Sequence, residues 1–212
     1  MNTILLRGAV SDAPAYSHES HGLRYHRLTL ATTRLSGTED HLRVLVPEDL
    51  LNTYTPILGD RVEIEGVLRS FNNKSGQGSR LVLSALAKSL RQTEAGEVSE
   101  NRVELSGALC KPPVYRRTPL GREICDLMVA VPRAYGRADY LPIIAWGICA
   151  RASADFTVGD TVVVDGRFQS RKYVKLIGEE SVEKTAYEVS AIHIGRQSEG
   201  EEPLPSEDGS GE

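Results

Sequence analysis

Aromatic residues are scarce in this chain: Phe, Trp and Tyr make up 6% of 212 residues, with a single Trp. Where those few rings fall therefore carries information. Cysteine is scarcer still. Cys110, Cys125 and Cys149 are widely spaced and form no CxxC pair, which excludes the usual zinc and redox spacings. An odd number of scattered thiols fits a reducing cytoplasm, with the side chains reduced and buried. No apolar run approaches the roughly 18 residues of a membrane span. The opening MNTILLRGAVSD carries Arg7 and Asp12 and has no apolar stretch of the kind a secretory signal needs.

Catalytic patterns are missing as well. No P-loop or dinucleotide fingerprint occurs, no Ser/His/Asp set can be proposed from spacing, and the carboxylates are dispersed. An enzyme is not expected, nor is a cofactor. SHESH holds His18 and His21 in a Ser/Gly-rich connection without a third or fourth ligand nearby, so it reads as a solvated loop and not a metal site. His26, His41 and His193 are isolated.

The formal net charge of −4 is unevenly spread. Residues 1–92 carry +2 and 101–196 carry +3, whereas 93–100 carry −3 and 197–212 carry −6. Two mildly basic bodies are followed by acidic connectors, so the overall acidity does not exclude an anionic partner.

What the chain does contain is a repeat. NTILLRGAV (2–10) aligns with NRVELSGAL (101–109), and Pro14-x-Tyr16 aligns with Pro113-x-Tyr115. RLTLATTR (27–34) aligns with DLMVAVPR (126–133) at the same offset of 99, and GDRVEIEG (59–66) aligns with GDTVVVDG (159–166) at an offset of 100. Each copy shows five alternating, strand-like runs. In the first they cover 3–10, 26–33, 42–46, 61–70 and 80–88, with a helix candidate at Pro47–Thr55. In the second they cover 103–109, 127–131, 141–145, 162–168 and 187–194, with a helix candidate at Gly147–Asp155. Five strands with a helix between the third and fourth is the order of an OB-fold, a small Greek-key barrel. Gly107 and Gly166 inside strands predict bulges or sharp bends. The predicted fold is all-β: an OB barrel at 1–92, a polar linker at 93–100, a second barrel at 101–196 and a disordered acidic tail at 197–212.

The rings of the second copy gather at strand ends. Tyr135 follows the second strand, Tyr140 starts the third, Trp146 follows it and Tyr173 follows the fourth. Arg133, Arg137, Arg151, Arg171, Lys172 and Lys175 lie around them. Core-capping or rim roles would account for some of these rings. Rings interleaved with cations also suit a single nucleic-acid strand, whose bases stack while its phosphates are neutralised.

The second copy resembles the OB domain of bacterial single-stranded DNA-binding proteins. The likeness covers about 101–195 and is most specific in GDTVVVDGRFQSRKY (159–173). It implies base stacking at four places, which fall on Tyr135, Tyr140, Trp146 and Tyr173, with phosphate neutralisation by Arg133, Arg171 and Lys172. It also implies a nucleoid-associated role in replication, recombination or repair. Because such proteins assemble four barrels, two per chain imply a homodimer.

The first copy departs from this pattern. Ser36 stands in place of Tyr135 and Asn73 in place of Tyr173. Asp40 or His41 falls opposite Tyr140, and Val46 or Pro47 opposite Trp146, according to where the one-residue gap lies. Its Arg7, Arg24, Arg34, Arg43, Arg69, Lys74 and Arg80, with Tyr25 and Phe71, could track phosphates or serve assembly. The tail lacks the family's apolar tip, so recruitment of replication or repair proteins by that route is not implied. A protein-interaction factor of a replication-restart complex, resembling primosomal replication protein N, is the alternative. RNA or oligosaccharide binding on the same fold is a further one.

Overall fold

A computed structural model describes residues 1–73, 80–94, 96–177 and 180–197, without the side chains of 175–177 and 180. Lys74 and 198–212 of the expected tail lie outside the described residues. Gln197, assigned to that tail, donates its backbone N–H to the Thr161 carbonyl at 2.8 Å.

The first barrel is built from β1 (Asn2–Ser20), β2 (Leu23–Thr33), β3 (Glu39–Pro47), α1 (Glu48–Thr53), β4 (Arg61–Asn72) and β5 (Leu81–Gln92). Alternation dictates which face turns inward: Ile4, Leu6 and Val10 on β1 are buried, as are Leu42, Val44 and Val46 on β3. β1 pairs antiparallel with β2 and β4, and parallel pairing of β3 with β5 at Val44↔Ala85 completes the closure. β6 (Glu100–Leu109), β7 (Val114–Arg117), β8 (Glu123–Pro132), β9 (Ala138–Trp146), α2 (Ile148–Ala154), β10 (Thr161–Ile177) and β11 (Glu180–Arg196) repeat the design. Here closure is the parallel pair Val189↔Ile143. Each helix is too short to persist alone; each is held by a side chain buried against its barrel, Leu51 and Ala150 respectively.

Gly166 sits at a register shift between β10 and β11, the bulge expected there, and Gly66 sits at the equivalent shift between β4 and β5; Gly107 pairs with Val162 in unbroken register. A Cβ on Gly166 would collide with the Ser190 carbonyl, and one on Gly107 with the Ala130 carbonyl. The strand hydrogen-bonded there leaves no room for a side chain.

Two features exceed the expectation. First, the connection containing SHESH is a β-ribbon and not a loop. β1 runs to Ser20, and the chain reverses at His21 and Gly22, whose φ values of 52° and 74° suit a tight hairpin turn. His18 stacks on Tyr25 with centroids 5.1 Å apart. Among the described residues no cluster of three or more metal-ligating side chains occurs. The thiols also differ from expectation: Cys125 is buried, but Cys110 and Cys149 are only partly so.

Second, the barrels are joined edge to edge. β1 and β6 pair antiparallel from Asn2↔Leu105 to Arg7↔Glu100, giving one eleven-stranded sheet. The seam has a pseudo-two-fold character. Asp40 of the first barrel accepts both arms of Arg34 at 2.6 Å and the Ser170 backbone N–H at 2.9 Å. Asp139 of the second accepts Arg69 at 2.9 Å and the Ser70 N–H at 2.8 Å. Both carboxylates are buried, and these bonds compensate their desolvation. The segment between the barrels is tied down as well, since Glu97 pairs with Arg91 and Arg7 at 3.1 Å.

Candidate nucleic-acid interface

Even-numbered residues of β9 point outward. Tyr140, Pro142, Ile144 and Trp146 therefore share one face, with Tyr140 and Trp146 six residues apart, about 20 Å at strand rise. Tyr140 is 49% exposed and Trp146 39%. Opposite them on β8 lie Ala130, Met128, Asp126 and Ile124. The result is a largely apolar strip on the outer face of the second barrel, covered at Ile144 and Ile124, with a half-exposed ring at each end.

Around the strip the predicted residues divide into two groups. An open groove of about 780 Å³ takes in Trp146, Arg171 and Lys172. Tyr173, partly exposed, lies under the Arg171 guanidinium at 5.9 Å. A second cleft of about 550 Å³ takes in Tyr135 and Arg133, together with Arg137 and with Arg69 from the first barrel. Tyr135 is 98% exposed and sits at φ 61° in a 3-10 turn at Ala134–Gly136, so its ring projects from the hairpin tip. Tyr140 lines neither of these two hollows; its N–H donates to the Ser70 hydroxyl of the first barrel at 2.7 Å.

Six of the first groove's lining side chains are Arg or Lys and two are Glu. Sequence reasoning missed three of these cations, Arg116, Arg122 and Arg167. Their signal was available, because Arg116 and Arg122 flank the connection between the first two strands of an OB barrel, a region that commonly holds ligand. Arg167 Nε is buried without a hydrogen-bond partner. Four others are balanced: Arg34 by Asp40 at 2.6 Å, Arg116 by Asp126 at 2.9 Å, Lys172 by Glu183 at 3.0 Å and Arg171 by Glu188 at 3.7 Å, whereas Arg122 has no carboxylate partner among the described residues. Arg133 sits 3.5 Å from Asp139. Arg151 is drawn away to Glu123, whose carboxyl is held below the usual range mainly by the Tyr115 hydroxyl and then by Arg151. The side chain of Lys175 lies outside the described residues.

The register also removes the ambiguity in the first copy. Tyr25 pairs with Pro47 as Ile124 pairs with Trp146, so Pro47 stands opposite Trp146 and His41 opposite Tyr140. The extra residue of the second copy falls beyond these strands, near the helix. Several first-barrel cations are committed to structure. Arg7 pairs with Glu63, Arg34 with Asp40 and Arg69 with Asp139, while Arg43 lies over the Tyr187 ring at 5.3 Å.

Two OB barrels fused through their first strands, one bearing an outward aromatic strip beside a cation-lined groove, define the class as tandem OB-fold proteins. Residues 100–197, the second barrel, match the sequence model of the single-strand binding protein family. The chain is 29% identical over 127 residues to a single-stranded DNA-binding protein of Neisseria meningitidis, covering 54% of this chain and 71% of that one. It is 36% identical over 80 residues to single-stranded DNA-binding protein 2 of Listeria innocua, covering 34% of this chain and half of the other. The wild-type single-stranded DNA binding protein from Thermus aquaticus shares the tandem fold, with a TM-score of 0.77 at 23% identity over 95% of both chains.

Proposed function

We propose that this protein binds single-stranded DNA with little sequence preference, chiefly through the second barrel. The observation that carries this reading is the outward strip of β9, with exposed Tyr140 and Trp146 at its ends and the cationic groove beside it. Bases stack on Trp146, Tyr140, Tyr135 and Tyr173. Arg171, Lys172 and Arg133 meet phosphates by exchanging their present carboxylate partners for the strand. The family match and the names of the relatives support the same ligand. A cytoplasmic role in replication, recombination or repair follows from it, as does a homodimer that brings four barrels together.

Trp146 is the only Trp, so its fluorescence reports the site directly. Oligo-dT is expected to quench it strongly, and rising salt to weaken the binding steeply. Trp146→Ala and Tyr173→Ala should each cost about 1–3 kcal/mol of affinity. Unchanged fluorescence at saturating oligo-dT, with no binding by anisotropy, would overturn the reading. A preference for oligo-U would move it to RNA.

A further inference from the structure

The first barrel keeps none of the stacking rings, yet its β2–β3 hairpin borders the groove that holds Trp146. Arg34, Thr38, Glu39 and His41 all line that groove. We propose that the first barrel forms one wall of the second barrel's nucleic-acid groove, with His41 as the side chain that meets the strand. This rests on the single-stranded DNA reading above.

The wall is fixed in place before any ligand arrives. His41 N–H donates to the Ser170 hydroxyl at 3.1 Å, and Asp40 accepts the Ser170 N–H at 2.9 Å. Arg34 locks Asp40 from the other side and also reaches the Ser170 carbonyl at 3.5 Å. The root of the hairpin is thus pinned to β10 one residue before Arg171, and little ordering is left to oppose binding.

The His41 side chain stays free of this clamp. It is 53% exposed, with Nδ1 3.3 Å from the Ser11 hydroxyl and Nε2 4.0 Å from Glu39. A half-exposed imidazole can lie flat against a base or donate to a phosphate oxygen. The pseudo-two-fold explains why it serves the opposite barrel. Tyr140 and His41 occupy equivalent places, and each is held by the fourth-strand serine of the other barrel, Ser70 and Ser170 respectively. His41, at the start of the first barrel's third strand, is thereby held at the second barrel's groove.

The test uses the full chain, fluorescein-labelled oligo-dT anisotropy and Trp146 quenching together. His41→Ala should weaken binding about five- to tenfold, the low end for one lost stacking or phosphate contact. His41→Glu should weaken it further. His41→Lys should retain or tighten it and steepen the plot of log affinity against log salt by about 0.7, as expected for one added contact to a single strand. His193→Ala, exposed on β11 and lining neither groove, should leave affinity unchanged, and thermal midpoints establish that each variant is folded. Wild-type affinity in both His41→Glu and His41→Lys, with Trp146 still quenched, would overturn this proposal alone. Loss of Trp146 quenching in the unaltered chain would remove the parent reading and this one with it.

Discussion

Gly166 shows how much of the barrel depends on single atoms. It ends the alternating run of GDTVVVDG, and the sequence alone marks it as a bend because a glycine inside a strand weakens it unless something approaches closely. The structure shows what approaches: the Ser190 carbonyl of β11, where a Cβ would have to sit. Neither group can step aside, since both belong to hydrogen-bonded backbone. Gly166→Ala should therefore destabilise the protein by about 1–3 kcal/mol or more, as overpacking does, read as a lower urea midpoint at constant slope. An unchanged midpoint would mean that the bulge relaxes freely. Gly66 faces the Leu86 carbonyl in the same way, which is why the repeat retains glycine at both places while the rings differ.

Between residues and barrels, the elements differ in how they could be read. The barrel strands were legible because each has one buried face, which writes a period of two into β1, β3, β6 and β9. The outer reaches of β1 and β2 were not, because the ribbon from Asp12 to Arg27 is largely exposed on both faces and has no reason to alternate. The positions of Trp146 and Tyr140 were legible for the same reason as the core, being outward members of an alternating strand. The separation of Trp146 and Tyr135 into two clefts was not, because it arises from the first barrel's approach, and the seam rests on contacts such as Asp139 with Ser70 that have no sequence period. The segment 93–100 looked like free polar chain, yet Glu97 straps it to the first barrel. Arg91 first, then the Glu94 N–H, hold the Glu97 carboxyl at about 2. A carboxyl depressed below its unfolded value near 4.3 contributes stability that is fully present above that value. The contribution is lost as pH falls from there through about 2. Glu97→Gln should lower the thermal midpoint at neutral pH, and the difference from the unaltered chain should close as pH falls from about 4.5 to 2. A difference that stays constant with pH would show that the strap does not act through this charge.

On the scale of the whole chain, the two barrels share a sheet, and their cores form one contiguous apolar cluster. Each barrel also closes on itself through its own parallel strand pair. What couples them is the β1–β6 pairing and the two buried aspartates that brace it, Asp40 against Ser170 and Asp139 against Ser70 and Arg69. Removing either carboxylate strands arginine and a backbone N–H beside a closed seam, a loss of about 3–5 kcal/mol for a broken buried pair. The unaltered chain should therefore unfold in one calorimetric transition whose van 't Hoff and calorimetric enthalpies agree. In Asp40→Ala/Asp139→Ala both braces are gone, and the barrels should melt apart as two resolved transitions, the first barrel having lost Asp40 as the acceptor for Arg34 and the second Asp139 as the acceptor for Arg133. Two resolved transitions in the unaltered chain would mean that the seam adds little coupling. A wall contributed by the first barrel would then have no fixed position from which to act on the second barrel's groove.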